Sequence, residues 1–284
     1  MNSELSLLNP EWQGYGEHTD VHAGAFKVAE TLFDIADFVQ IPVDLEESLI
    51  RSDGVLGLHS IAPRFNKTLN DLYAAAPAKI FMVGGTCGVE VAPVGYLNDK
   101  YLGDLAVVWF DAHGDLNTPS SSPSGHFHGM ALRTLLGDGP LEITGELKRF
   151  LKPAQVFLAG TRDLDPPEKD FCAEMSISIT PPEDFTEPQI LVERIRERGF
   201  KHLYLHLDLD VLNPDSFPNS LMQTPAGPNL GEVQAMMKAL SDNFEVVGFS
   251  IVEYCEYGGN INDLKNLVQN SGIKIASTRV LFNS

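Results

Sequence analysis

Five short stretches of this chain are apolar along nearly their whole length. They are residues 78–83 (AKIFMV), 105–111 (LAVVWFD), 155–158 (QVFL), 202–208 (HLYLHLD) and 245–251 (EVVGFSI). A strand with one wet face alternates apolar and polar residues, whereas a parallel strand covered on both faces is apolar throughout. Between these runs the spacing predicts helices at roughly 60–76, 128–136, 187–198 and 231–242. Strands alternating with helices predict an α/β fold: a central, mostly parallel sheet with helices on both faces.

The chain shows no internal repeat and no low-complexity tract, and its 284 residues suit one large α/β domain spanning 1–284. The Pro-Pro pairs at 166–167 and 181–182 follow strands and are expected in loops. Residues 118–124 (TPSSSPS) have a linker's composition, but so short a segment between a strand and a helix is expected to be a loop within the domain.

Acidic residues number 39 and basic residues 20, a formal charge of −19. Nucleic acid and anionic membranes repel such a chain, so neither is an expected partner. A cation is favoured, whether a metal ion or a positively charged substrate; the bland alternative is that the charge only maintains solubility. The three cysteines, Cys87, Cys172 and Cys255, are too few and too far apart for a disulfide framework, which suggests a reducing cytoplasm. The opening residues lack the basic and apolar regions of a secretory signal. No apolar run approaches the roughly 20 residues needed to span a bilayer.

Two of the strands end in metal-ligand residue types. The first reads Phe110-Asp111-Ala112-His113-Gly114-Asp115 and the second Leu207-Asp208-Leu209-Asp210. If the strands continue in extended form, Asp111, His113 and Asp115 project to one side, and Asp208 and Asp210 likewise. In α/β sheets ligands bind at the carboxyl ends of the strands. Carboxylates crowded at the edge of an apolar core are costly unless protons or cations neutralise them. Four carboxylates and one imidazole suit a divalent cation, manganese best, and are numerous enough for two ions sharing an activated water. A D-x-D after a strand can also be no more than a cap or a turn, and D-x-H-x-D a loop hydrogen-bond network.

Four motifs together resemble the ureohydrolases, the family of arginases and agmatinases. They are Val108-Trp109-Phe110-Asp111-Ala112-His113-Gly114-Asp115, Ser124-Gly125-His126-Phe127-His128-Gly129, Leu207-Asp208-Leu209-Asp210-Val211 and Ser250-Ile251-Val252-Glu253. The resemblance implies the three-layer α/β/α arginase–deacetylase fold with a parallel sheet of about eight strands, more than the pattern alone marks. It also implies a two-manganese centre and a homo-oligomer, trimer or hexamer. Asp111 and Asp208 would bridge the ions, Asp115 would belong to one, and His113 and Asp210 to the other. Asp115 would also pass a proton from the bridging hydroxide to the leaving nitrogen. His128 would shuttle protons, and Glu253 would grip the substrate guanidinium. The chemistry is coherent: a guanidinium is deactivated by resonance and holds its proton to very high pH. Water must therefore be activated, the leaving amine needs a proton, and a carboxylate can hold the cationic fork.

Asp115-Leu116-Asn117-Thr118-Pro119, a serine-rich loop and the separation of Asp111 from His128 resemble arginases in particular. Asn117 and Ser124 then match positions that contact a substrate α-carboxylate. Asp165, in Arg162-Asp163-Leu164-Asp165-Pro166, matches the one that holds the α-amino group. His126 stands where arginases usually carry asparagine, and the larger, titratable imidazole bears on the exact substrate. A second departure touches the metal. Where the family has Gly-Gly-Asp-His, the last residue a ligand, this chain has Gly84-Gly85-Thr86-Cys87. Cys87 either ligates, favouring a softer ion such as zinc or iron, or is a small buried hydrophobe. The expected reaction is hydrolysis of L-arginine to L-ornithine and urea. The alternatives are agmatine, another guanidino acid or formiminoglutamate as substrate, or a metal-poor relative without turnover.

Overall fold

The computed structural model describes residues 4–275. The strands are β1 (Glu4–Asn9), β2 (Phe38–Gln40), β3 (Arg51–Ser52), β4 (Val55–Leu56), β5 (Lys79–Gly84), β6 (Leu105–Phe110), β7 (Val156–Ala159), β8 (Ser178–Thr180), β9 (His202–Asp208) and β10 (Glu245–Val252). The α-helices are α1 (Asp20–Thr31), α2 (Leu58–Ala75), α3 (Val91–Lys100), α4 (Ala131–Leu135), α5 (Leu141–Thr144), α6 (Pro166–Met175), α7 (Gln189–Glu197), α8 (Leu230–Asn243) and α9 (Ile261–Asn270). Eight strands form one sheet in the order β2-β1-β5-β10-β9-β6-β7-β8, with β3 and β4 a separate antiparallel ribbon. Every pairing within the eight-stranded sheet is parallel.

The uniformly apolar runs have a direct physical explanation. Along β6, Leu105, Val107 and Trp109 enter the core on one face, with α2 to α6. Ala106, Val108 and Phe110 enter the core on the other face, with α1, α7, α8 and α9. Successive side chains point to opposite faces, and both faces are covered, so both sets must be apolar. The result is a three-layer α/β/α arrangement.

All five expected strands form, within one residue of their expected limits. The unexpected ones are β1, β2, β8 and the ribbon. β2 and β8 are three-residue strands at the sheet edges, only partly buried, and carry too little pattern to read. One expectation is corrected. Pro166 and Pro167 do not lie in a loop but open α6, where Asp165 is the cap and Glu168 Oε2 accepts from Asp165 N at 2.8 Å. Proline suits a first helical turn because its angle is preset and the missing N–H has no intrahelical partner there. Pro182 similarly opens a 3-10 turn, Pro182–Thr186.

The connectivity sets the position of the site. β5 and β6 are consecutive strands in the sequence but lie on either side of the β10–β9 pair in the sheet. The carboxyl ends of these four neighbouring strands therefore converge at a point where the winding order changes, the place where α/β sheets bind ligands.

Two predictions concern this scaffold. A Cβ added at Gly24 in α1 would lie 1.8 Å from the Tyr254 carbonyl oxygen. Gly24→Ala should therefore destabilise by about 1–3 kcal/mol in urea unfolding, although alanine is the better helix former. Burial pushes the Cys172 thiol up to about 11 and Cys255 up to about 12, with Glu168 and Glu253 adding to the shift. Burial likewise pushes Tyr96 and Tyr254 up to about 12. The folded state favours their neutral forms, so their contribution is intact below an unfolded thiol value near 9.0 and is lost as pH rises through 11 to 12. Their ionisation should therefore make the urea-unfolding free energy fall steeply above about pH 9.

Candidate metal centre

The strand ends deliver carboxylates to one buried point. Asp111 still donates its N–H to Ala159 O (3.2 Å), extending the β6–β7 ladder by one position. The chain then turns instead of running on extended. His113 N donates to Asp111 Oδ1 at 2.6 Å, and Asp115 takes a left-handed φ of 50°. The expectation that residues 111, 113 and 115 project together from a continuing strand is thus corrected: the turn, not strand alternation, brings His113 to Asp111. On β9, Asp208 Oδ1 accepts from Asp210 N at 2.8 Å, which folds Asp210 back beside it.

Two groups of ligand atoms result, each with all atoms within 4.8 Å of one another. The first is Cys87, Asp111, His206 and Asp208; the second is Asp111, His113 and Asp210. Asp111 belongs to both. His113 Nδ1 lies 2.8 Å from Asp210 Oδ2 and 3.4 Å from Asp111 Oδ1. Asp115 falls outside both groups. Its carboxylate is buried nearby, and its Oδ2 has no hydrogen-bond partner among the described residues.

Cys87 opens a 3-10 turn immediately beyond β5. Gly85 must be glycine to bring it there, since a Cβ would lie 2.0 Å from Glu11 O. The thiol is not packed among apolar side chains alone: Sγ lies 3.1 Å from Asp208 Oδ2 and 3.6 Å from His206 Nε2. The sequence reading missed His206. Strand alternation puts residues 206 and 208 on one face, so a histidine two places before Asp208 in an otherwise apolar strand was the available signal.

The electrostatics follow from burial. Burial, then the neighbouring carboxylates, pushes Asp115, Asp208 and Asp210 above the ordinary carboxyl range. Burial opposes ionisation of Asp111 too, but His113 and His206 hold it below that range. For His113 burial opposes the charge, yet Asp210 and Asp111 prevail and push the ring up to about 12. So many acids at one point fit a positive ion. The oxygen and imidazole donors of the second group suit a hard or borderline divalent cation such as manganese, and the first group adds a thiol.

A pocket of about 340 Å³ opens beside this cluster and reaches it through His113 and Asp115. Asn117, Ser124, His126, His128 and Asp165 all line it. Asn117 is held on both sides: its Nδ2 donates to Asp165 Oδ2, and its Oδ1 accepts from Ser121 Oγ, each at 2.8 Å. Glu253 is buried and does not line the pocket. Its Oε1 lies 3.2 Å from His128 Nδ1 and accepts from Cys87 N at 3.3 Å. Tyr15, also missed in the sequence, stacks on His128 with ring centroids 4.0 Å apart.

A three-layer α/β/α protein with a shared carboxylate–imidazole group at its central strand ends has the framework of a metal-dependent hydrolase. The chain belongs to the arginase family, whose model matches residues 14–255. It is a hydrolase of that family, acting on non-peptide C–N bonds in linear amidines. It is 29% identical to an arginase of Staphylococcus aureus over 228 residues, covering 78% of this chain and 75% of that one. It is 30% identical to an arginase of Bacillus caldovelox over 249 residues, covering 82% and 81%. The solved structure of Entamoeba histolytica arginase, in complex with L-ornithine, superposes with a TM-score of 0.84 at 21% identity, covering 96% of this chain and 98% of that one. At that identity the likeness speaks for the fold. No helix among the described residues is long and apolar enough to cross a membrane.

Crowded buried carboxylates conflict with stability when no cation is present. Asp115→Asn should stabilise the metal-stripped protein by about 1 kcal/mol and weaken the stabilisation gained on adding divalent ions. Urea unfolding with and without a chelator checks both signs.

Proposed function

We propose that this chain hydrolyses L-arginine: water adds to the guanidino carbon, the bond to the δ-nitrogen breaks, and L-ornithine and urea leave. The observation that carries this reading is the Asn117–Asp165 pair in a polar pocket that ends at the acidic cluster. A pocket lined by acids without lysine or arginine suits a cationic substrate. An amino acid headgroup adds an ammonium and a carboxylate. Asp165 can take the ammonium, while the free N–H of Asn117 and the Ser124 hydroxyl donate to the carboxylate. His126 donates alongside them.

Asp111, His113, Asp208 and Asp210, with Asp115 beside them, would hold divalent ions. Bound there, such ions supply Lewis-acid activation of water at neutral pH. The protein's own groups do the rest. Asp115, its Oδ2 without a partner, accepts the proton of the attacking water and gives it to the departing nitrogen. Glu253 fixes His128 through Nδ1, and Tyr15 holds the ring flat against its own, so the imidazole presents Nε2 for proton exchange with solvent. For Glu253 to steady the guanidinium as well, its carboxylate would have to open from His128 toward the pocket, a move that the charge-assisted contact with the cation would favour. The two roles share one carboxylate and call for an anion at that position.

Urea release from arginine, agmatine and shorter guanidino acids tests the assignment, and no turnover of arginine would sink it. Asn117→Ala and Asp165→Asn should each lower kcat/KM for arginine by about 10- to 100-fold, the loss of one or two hydrogen bonds to charged groups. Turnover of agmatine, which has no carboxylate, should change little with Asn117→Ala.

A further inference from the structure

The first ligand group is not the one the resemblance implies. It has a thiol where a histidine was expected, and it has His206, a side chain with no part in the implied ligand set. We propose that Cys87, His206, Asp111 and Asp208 form a four-donor site for a borderline divalent ion, zinc, cobalt or ferrous iron, in preference to manganese. The inference rests on the acidic cluster being a metal centre and is independent of the guanidine hydrolysed.

Three observations carry it. The spacing of the donors is right. From Sγ the other atoms lie at 3.1 Å (Asp208 Oδ2), 3.6 Å (His206 Nε2) and 4.0 Å (Asp111 Oδ2). His206 Nε2 lies 3.7 Å from Asp111 Oδ2. A tetrahedron with bonds of about 2.0–2.3 Å has edges of about 3.3–3.8 Å. These four contacts scatter about that range, and small side-chain movements bring them into it.

The imidazole is also set up as a ligand. Trp109 stacks on His206 with ring centroids 3.6 Å apart, fixing the ring plane. Behind it, Glu90 Oε1 faces Nδ1 at 3.6 Å, and both residues are fully buried. A carboxylate behind one ring nitrogen favours the tautomer that leaves the other as a lone-pair donor, the arrangement found behind zinc-bound histidines. Here the other nitrogen, Nε2, is the one turned to the cluster.

The donor chemistry discriminates between metals. One sulfur, one nitrogen and two oxygens are a softer set than the oxygen and nitrogen donors of the Asp111, His113 and Asp210 group. Thiolate favours zinc, cobalt and iron, and a set of four closed around one ion suits tetrahedral zinc or cobalt more than manganese. The two groups share Asp111 yet differ in softness, so two different ions can occupy them side by side.

The whole 284-residue chain, stripped by chelator, would be dialysed against equal zinc and manganese and its metal content measured by mass spectrometry. About one zinc per chain should remain against the manganese. The cobalt-loaded protein should show a thiolate-to-cobalt charge-transfer band in the near ultraviolet. Cys87→Ser should abolish the band, and His206→Asn should lower zinc retention at least tenfold. The wild-type cobalt spectrum decides the matter even if a variant fails to fold. Absence of the band from cobalt-bound wild-type protein, or preferential retention of manganese, would overturn the proposal. These readouts are separate from turnover, so a failure to hydrolyse arginine would leave the metal assignment standing or falling by itself.

Discussion

Six buried carboxyl groups, those of Glu90, Asp111, Asp115, Asp208, Asp210 and Glu253, lie at or beside the ends of the central strands. In a low-dielectric interior crowded carboxylates repel one another, and burial opposes the ionisation of Asp111, Asp115, Asp208 and Asp210. Among the described residues, no lysine or arginine is ion-paired with any of them. The basic side chains paired with them among the described residues are imidazoles, and three, His113, His128 and His206, are each close to one or more of the carboxylates. Three imidazoles do not balance six carboxylates at neutral pH. The sheet can afford such a site only if the balance arrives as protons or as metal ions, and a hydrolase that must sharpen water has a use for the second.

The scaffold contributes rigidity. The acids stand where β5, β10, β9 and β6 end, and these strands are buried on both faces. Backbone positions there are fixed by parallel ladders, so mutual repulsion cannot be relieved by spreading apart. Strain concentrates instead in the loops just beyond. Asp115 and Glu253 both adopt left-handed backbone angles, φ 50° and 62°, which non-glycine residues seldom do. Glu253 is tied by its N–H to Gly85 O and by its carboxylate to the Cys87 N–H. The turn after β10 and the turn after β5 therefore hold each other, and the first ligand group sits at that junction.

Much of this was legible in the sequence, for reasons specific to each element. The central strands β5, β6, β7, β9 and β10 announced themselves because being covered on both faces forces an unbroken apolar run. The edge strands β2 and β8 did not, because three residues of mixed burial impose almost no pattern. Asp111, His113, Asp208 and Asp210 could be read because they follow those strands at short, repeated spacings. His206 could not be read in the same way. It lies inside a strand, where a histidine is easily taken for a tolerated core residue, and its importance arises from Trp109 on β6 and Glu90 beyond β5, partners remote in sequence. Tyr15 was hidden likewise, since only the folded chain lays it on His128. Local spacing carries ligands that follow one strand, whereas contacts across strands must be seen.

The two departures in the first ligand group make sense together. An imidazole at position 87 would extend farther from its backbone than a thiol does. Exchanging it for cysteine withdraws the donor atom, and an ion bound mainly by Asp111 and Asp208 would be held by oxygen alone. His206 approaches from within β9 and restores the nitrogen. Its ring occupies the space beneath the cluster, between Trp109 and Glu90, and brings Nε2 within 3.6 Å of Sγ. The number of donors is thereby kept while their character changes. A cysteine alone at this position would read as decay of the site. A cysteine paired with a buried, oriented histidine, itself backed by a carboxylate that has no other ion-pair partner among the described residues, reads as a centre rebuilt around a different ion.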